Sequence, residues 1–137
     1  MTKNFSKSEF ESKCGCEMPQ EVYVNVVKVA NQLQYLREQI GQPIRINSAY
    51  RSPEHNEKIG GAHKIVNGKR VETSQHVFGK AADIAVKGMP TEILYQHIED
   101  AISNGEMLQG GLGLYDTFVH YDIRGNKARW DYRKNKS

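Results

Sequence analysis

The sequence is poor in residues that cross-link a chain and in long apolar runs. Of its 137 residues, two are cysteines, four are prolines and one is a tryptophan. No apolar run approaches the roughly 20 residues that cross a bilayer, so we predict no transmembrane segment. The polar start of the chain has no apolar stretch typical of a secretory signal. We therefore expect a protein made in the cytoplasm without a signal peptide.

The two cysteines are Cys14 and Cys16, separated only by Gly15. This spacing is too short for an ordinary disulfide. A thiolate zinc site would need a second cysteine pair, which the sequence lacks. We therefore predict two free thiols, which fits a protein made in a reducing compartment.

The excess of positive over negative charge is also small. The formal net charge is +3 and the sequence pI is about 8.8, with part of the excess in a basic tail at residues 131–137. No nucleic-acid-binding motif accompanies this charge, so we predict no nucleic-acid partner. No long apolar surface stripe is left unassigned, which favours a monomer.

Length and periodicity indicate one α+β domain over residues 1–137, with an N-terminal segment at 1–18. Apolar residues recur at steps of three and four from residue 19 to residue 40, which predicts a long amphipathic helix that Gly41 ends. A second amphipathic helix is expected to begin with Thr91 as its cap.

Short strands are predicted between these helices. Ile44 and Ile46 alternate with polar residues, which is typical of a strand. Asn67-Gly68 is a hairpin-turn signal in a polar stretch of the chain. Further strands are predicted at 82–86, 110–116 and 118–123. This order predicts a small, mostly antiparallel sheet flanked by helices.

Metal-ligating side chains flank a glycine and two alanines in the segment SQHVFGKAAD. His76 offers a nitrogen and Asp83 an oxygen, and His120 in FVHYD offers a third donor. Because alternate residues of a strand share a face, neighbouring strands can aim Asp83 and His120 at one point while His76 reaches in from a loop. Two histidines and one carboxylate leave tetrahedral zinc an open position, which is typical of a catalytic site.

These motifs resemble the zinc D-alanyl-D-alanine carboxypeptidase family, M15-type peptidases in a wider group with the hedgehog domain. The segments SAYRSPEHN, IGGA, SQHVFGKAADI, GLGLY and FVHYDIRG carry the resemblance, which covers about Phe5 to Trp130. It implies a hedgehog/DD-peptidase-like fold with a zinc site on one face of the sheet. It makes His76, Asp83 and His120 the Zn²⁺ ligands.

The resemblance also implies a substrate. Members cut amide bonds in peptidoglycan stem peptides or cross-links by zinc-activated water, as phage lysis or wall-remodelling enzymes, and the sequence does not separate carboxypeptidase from endopeptidase action. Arg51 is implied to bind the peptide carboxylate or the developing oxyanion. Ser74 and Gln75 either position their loop or bind substrate. The hairpin at Asn67-Gly68 is an insertion relative to the family pattern and is expected to wall the cleft.

The chain departs from many relatives at the general base. They place a glutamate three residues before the last histidine ligand or a histidine two residues before it, where this chain has Thr117 and Phe118. We expect Asp122 as the base, with Asp116 second. An equal alternative is that Asp122 orients an imidazole. The missing glutamate also leaves open a catalytically weak or inactive zinc-containing binding or structural module.

Overall fold

The computed structural model describes residues 1–134. A short 3₁₀ helix, Lys7–Phe10, precedes the main elements. These follow in chain order: α1 Gln20–Ile40, β1 Arg45–Ser48, α2 Pro53–Lys58, β2 His63–Val66, β3 Lys69–Glu72, β4 Ala81–Ala85, α3 Thr91–Ser103, β5 Gly111–Leu114, β6 Val119–Asp122 and β7 Ala128–Asp131. None of the described helices has the length and apolar character needed to cross a membrane.

Five strands form one sheet in the order β1-β4-β6-β5-β7. All neighbours pair antiparallel except β5 and β7, which run parallel. The predicted α+β class with a mostly antiparallel sheet is confirmed. β7 was not predicted, because it is only four residues long and all four are half-buried, so its burial does not distinguish the two faces of the strand.

The predicted basic tail begins inside this sheet, and its next described residues contact neighbouring side chains. Asp131 ends β7, and the Arg133 guanidinium lies 2.9 Å from the Asp131 carboxylate and 3.4 Å from Glu92 of α3. The backbone N–H of Lys134 donates to the Asp116 carboxylate at 2.9 Å. Residues 135–137 of the predicted tail lie outside the described part of the chain.

The core lies between the helices and one face of the sheet. The predicted stripe of α1 is buried, and Gly41 ends this helix in the left-handed conformation with φ 74°. Buried side chains of α1, α3 and the sheet form one apolar cluster, including Leu33, Leu36, Leu94, Ile98, Ile84, Leu112, Val119 and Tyr121. The opposite face of the sheet is left for polar side chains.

The start of α3 differs from the prediction. Pro90 is the N-cap, and no side chain accepts a capping hydrogen bond. Thr91 is already helical, and its hydroxyl donates to the Tyr115 carbonyl oxygen at 2.8 Å. The prediction that Thr91 caps the helix is therefore wrong, because Pro90 with its fixed φ begins the turn one residue earlier. The Thr91 hydroxyl instead connects α3 to the end of β5.

Cys14 and Cys16 form a disulfide, so the prediction of two free thiols is wrong. Gly15 has φ 77°, a left-handed conformation that lets the chain reverse between the two cysteines. Their Cα atoms are 5.4 Å apart, within the usual range for a disulfide. The argument for a reducing compartment, which rested on free thiols, falls with it. Cys14 Sγ also lies 3.2 Å from the hydroxyl of Ser52, the N-cap of α2.

The predicted hairpin is present as β2 and β3, which pair with each other outside the main sheet. Asn67 and Gly68 have φ 50° and φ 76°, the positive values that a type I′ turn requires. At the base of the hairpin, the backbone N–H groups of Thr73 and Ser74 both donate to the Ala62 carbonyl at 3.2 Å.

Candidate metal centre

One row of cross-strand neighbours positions the site. The register pairs each member with the next across all five strands of the main sheet: Ser48, Asp83, His120, Gly113 and Trp130. Side chains in such a row share one face of the sheet. The residues that follow Asp83 and precede His120, Ile84 and Val119, point into the core. The predicted convergence of Asp83 and His120 follows directly from their pairing.

His76 completes a three-residue group from the loop before β4. Its Nε2 lies 3.2 Å from Asp83 Oδ1, and His120 Nδ1 lies 3.0 Å from the same oxygen. The candidate ligand atoms of the three residues all lie within 4.8 Å of one another. The three residues are buried, with 4%, 6% and 7% of the surface of His76, Asp83 and His120 exposed. The structure thus brings together the donors that the motifs predicted.

The loop that carries His76 is held closely against α1. Gly79 has φ 73°, and a Cβ there would lie 2.6 Å from Val22 Cγ1 and 2.7 Å from the Val22 carbonyl oxygen. Only glycine fits this approach. The His76 carbonyl accepts the backbone N–H of Gly79 at 3.2 Å and that of Arg51 at 3.1 Å. This loop therefore connects the histidine to both α1 and Arg51.

The far edge of each imidazole is held by an acceptor. His76 Nδ1 lies 2.6 Å from the Ala49 carbonyl oxygen, and His120 Nε2 lies 2.7 Å from Asp122 Oδ2. Since both partners accept hydrogen bonds, these nitrogens would carry their protons when a metal is bound, which would leave the opposite nitrogen of each ring to present its lone pair to the ion. Two neutral imidazole nitrogens and one carboxylate oxygen are donors that suit zinc. The chemistry of the group therefore fits a Zn²⁺ ion.

Asp122 is fully buried and bound through both oxygens. Oδ1 accepts from the Gly111 backbone at 2.8 Å and from Arg124 Nε at 2.9 Å, and Oδ2 lies 2.7 Å from Arg124 Nη2. A Cβ at Gly111 would lie 2.3 Å from Asp122 Oδ2, so the missing side chain makes room for the carboxylate. Asp122 and Asp83 contact opposite edges of the His120 ring.

These contacts shift the protonation of the group. Burial lowers the pKa of His76, and the hydrogen bond and charge of Asp83 offset only part of that effect. Burial opposes ionisation of Asp83, but hydrogen bonds from His120 and His76 hold its pKa well below the usual range. Burial likewise opposes ionisation of Asp122, but hydrogen bonds from His120 and Arg124 hold its pKa well below the usual range. Burial disfavours the charged form of His120, yet the two carboxylates raise its pKa. Both carboxylates are therefore anionic at neutral pH.

A cleft of about 560 Å³ opens onto the three candidate ligands. Other residues that line it are Arg51, Ser74, Tyr115, Phe118, Arg124 and Trp130. Ala62 and Thr73, at the base of the β2–β3 hairpin, also line it. The base of the hairpin therefore lies at one wall of the cleft.

Arg51 reaches this cleft from the end of β1. Its Nη2 lies 3.4 Å from Asp83 Oδ2, its Nε donates to the Ser48 hydroxyl at 3.3 Å, and its Nη1 donates to Asn56 Oδ1 at 3.3 Å. Asn56 is fully buried and donates in turn to Glu72 of β3. The guanidinium is therefore held beside the candidate ligands by partners on three elements.

The other predicted site residues are placed differently. The buried Ser74 lines the cleft, and its hydroxyl accepts the His76 backbone N–H at 3.3 Å. Gln75 is not among the residues described as lining the cleft, and its carbonyl accepts from Lys80 at 3.0 Å. Asp116 lines a separate cavity of about 650 Å³ near the start of α3. The structure does not bring Asp116 together with the candidate ligands.

Three cleft residues outside the predicted site contact one another, and one of them packs against His120. The Trp130 ring centroid is 5.1 Å from that of His120, and its Nε1 donates to the Tyr115 hydroxyl at 2.9 Å. The Arg124 guanidinium lies 5.4 Å from the Trp130 ring centroid. One feature of the sequence could have indicated this packing. Gly113, in GLGLY, pairs with His120 and has no side chain, which leaves space on the polar face of the sheet.

Replacing Gly113 by Ala tests this packing. A Cβ at Gly113 would lie 2.3 Å from Trp130 Nε1, so the indole must move. We expect the free energy of unfolding to fall by about 1–3 kcal/mol, the usual cost of overpacking. Trp130 is the only tryptophan, so its fluorescence reports the displacement directly. Unchanged stability and an unchanged emission spectrum would contradict the packing.

A comparison with protein families agrees with the site. A sequence model described as Peptidase M15 matches residues 2–122, most of the chain. The match includes all three candidate ligands and ends before β7, so Trp130 lies outside it. No curated protein matches the chain. M15 peptidases are zinc-dependent, and the buried His-Asp-His group is suited to that metal. The chain belongs to the peptidase M15 family, whose members are zinc metallopeptidases.

Proposed function

We propose that this metallopeptidase hydrolyses amide bonds in peptidoglycan stem peptides or cross-links, acting at the bacterial cell wall in lysis or remodelling. The observation that carries the proposal is the buried group of His76, Asp83 and His120 at the floor of a cleft, with Arg51 beside it. An open cleft suits an extended peptide, and a guanidinium suits its carboxylate.

The position of each residue in the site indicates its role. Zn²⁺ would be held by His76 Nε2, a carboxylate oxygen of Asp83 and His120 Nδ1, and when bound it supplies Lewis acidity and a lowered pKa for water. Arg51, oriented by its hydrogen bonds, is placed to bind a carboxylate or a developing oxyanion. Asp122 orients His120 from behind, and its full burial on the far edge of the ring favours this role over that of general base.

One observation favours a second candidate, a zinc-containing binding module of the same fold with weak or no turnover. Among the described residues that line the cleft, Asp83 is the only carboxylate, and it is a candidate ligand. Such a module would bind wall peptide in a zinc-dependent way and release no new amine termini.

Mass spectrometry of fragments from defined peptidoglycan separates these functions. We expect the zinc-loaded protein to produce new amine termini, a chelator to stop cleavage, and added zinc to restore it. His120→Ala, which removes a ligand, is expected to be inactive. The fragments also distinguish release of a terminal residue from opening of a cross-link. Cleavage that survives chelation and the His120→Ala change would overturn the proposal, and zinc-dependent binding without new termini would support the second candidate.

A further inference from the structure

Tyr115 follows β5 and is held on several sides where it lines the cleft. Its ring stacks on Phe118 with centroids 4.3 Å apart and an interplanar angle of 12°. The ring of Tyr132 meets it edge-on at 5.8 Å. The Tyr115 carbonyl accepts the Thr91 hydroxyl at 2.8 Å, and its backbone N–H donates to the Phe118 carbonyl at 3.1 Å. Both backbone and ring are therefore fixed before any substrate enters.

The hydroxyl of Tyr115 is oriented by Trp130. An indole N–H only donates, so the 2.9 Å contact from Trp130 Nε1 occupies a lone pair of the phenol oxygen. Among the described residues no acceptor takes the phenol proton, which is left to donate into the cleft. Trp130 also packs against His120, so it connects the phenol to a candidate ligand.

The Tyr115 hydroxyl belongs to the same cleft as the three candidate ligands. Tyr115 lines this cleft together with Asp83 and Arg51. An ordinary phenol, with a pKa of about 10, keeps its proton at neutral pH. Tyr115 is thus a neutral hydrogen-bond donor in a cleft that a cationic donor, Arg51, also lines.

We propose that Tyr115 is a further catalytic residue of the proposed hydrolysis, whose hydroxyl donates a hydrogen bond to the oxyanion that develops on the scissile carbonyl. The proton stays on the phenol, so no bond is made or broken at Tyr115. Trp130 is the positioning residue for this donor. The proposal rests on the proposed function, and it gives the cleft a second oxyanion donor where the only carboxylate among the described lining residues is a candidate ligand.

Tyr115→Phe removes the hydroxyl and keeps the ring that stacks on Phe118. We expect kcat to fall about 100-fold, the effect of losing one oxyanion donor, with KM changed less than about twofold. A phosphinate dipeptide, whose tetrahedral P–O⁻ resembles the oxyanion, provides a readout without turnover. We expect the zinc-loaded variant to bind it at least about tenfold more weakly than the native protein, with unchanged zinc affinity and melting temperature.

Tyr23→Phe is the matched control, because Tyr23 is a partly buried phenol that packs against the core and is not among the described residues that line the cleft. It is expected to keep kcat and phosphinate affinity. Trp130→Phe, which keeps an aromatic ring beside His120 but no N–H, is expected to weaken phosphinate binding in the same direction as Tyr115→Phe.

Two results would overturn the role of Tyr115. One is native phosphinate affinity in Tyr115→Phe; the other is a loss that appears only together with lowered melting temperature and zinc affinity. If the native protein cleaves no peptidoglycan, the proposed function fails, while phosphinate affinity still decides the role of Tyr115.

Discussion

Replacing Asp83 by Asn lowers the affinity for zinc by more than about 100-fold, because changes to outer partners alone cost about 10–100-fold. Asp83 Oδ1 lies within 3.2 Å of His76 Nε2 and 3.0 Å of His120 Nδ1, and it contributes the only negative charge among the three candidate ligands. Asparagine keeps the size and one oxygen but removes the charge. Competition with a chromophoric chelator measures the loss.

Thermal stability gives a second measurement of the same change. At a zinc concentration 100 times its dissociation constant, binding stabilises the native protein by about 2.7 kcal/mol. At that concentration a variant with 100-fold weaker affinity gains only about 0.4 kcal/mol. Asp100→Asn, an exposed carboxylate of α3, is the matched control and is expected to retain the full gain. An Asp83→Asn protein that binds zinc as the native protein does would remove Asp83 from the ligand set.

Replacing Asp122 by Asn has the second-largest expected effect. We expect zinc affinity to fall about 10–100-fold, because the carboxylate that orients His120 loses its charge. The metal-free protein is also expected to lose about 1.5–3 kcal/mol of unfolding free energy, the range for hydrogen bonds to charged groups. The partly exposed Arg124, at 31%, keeps this loss below that of a fully buried pair. Urea unfolding with and without zinc measures both.

The chain offers a close control for Asp122→Asn. Asp131 holds Arg133 through the same two nitrogens and the same two-residue spacing, but the Asp131 side chain is 33% exposed. Asp131→Asn is expected to cost less than about 1 kcal/mol, as exposed pairs do, and to leave zinc affinity unchanged. If Asp122→Asn instead lowers only the rate of hydrolysis, with native zinc affinity and stability, Asp122 is the general base and the orienting role is wrong.

Local patterns were enough for several elements. The apolar spacing of α1, the left-handed Gly41 and the Asn67-Gly68 turn each depend on residues close in sequence, and each is present as predicted. The proximity of two candidate ligands was predictable for a related reason. A strand alternates its faces, so pairing Asp83 with His120 directs both side chains to one side of the sheet.

Long-range contacts decided what the sequence did not. β7 pairs parallel with β5 although β6 lies between them in the chain, and all four of its residues are half-buried. The Cys14–Cys16 disulfide depends on the left-handed backbone of Gly15. Which edge of His120 meets Asp122 depends on ring orientation, and this decides between orienting the imidazole and accepting a proton from water.

The sequence by itself determined the fold class and the three donors, because residue type, strand alternation and glycine positions act over short distances. The tertiary structure alone decided the outer hydrogen bonds and the cleft wall, in which Trp130 from β7 directs the Tyr115 hydroxyl and Gly113 leaves room for the indole. The physical reason is that a hydrogen bond needs distance and direction together, and both are set only when distant strands pack side by side.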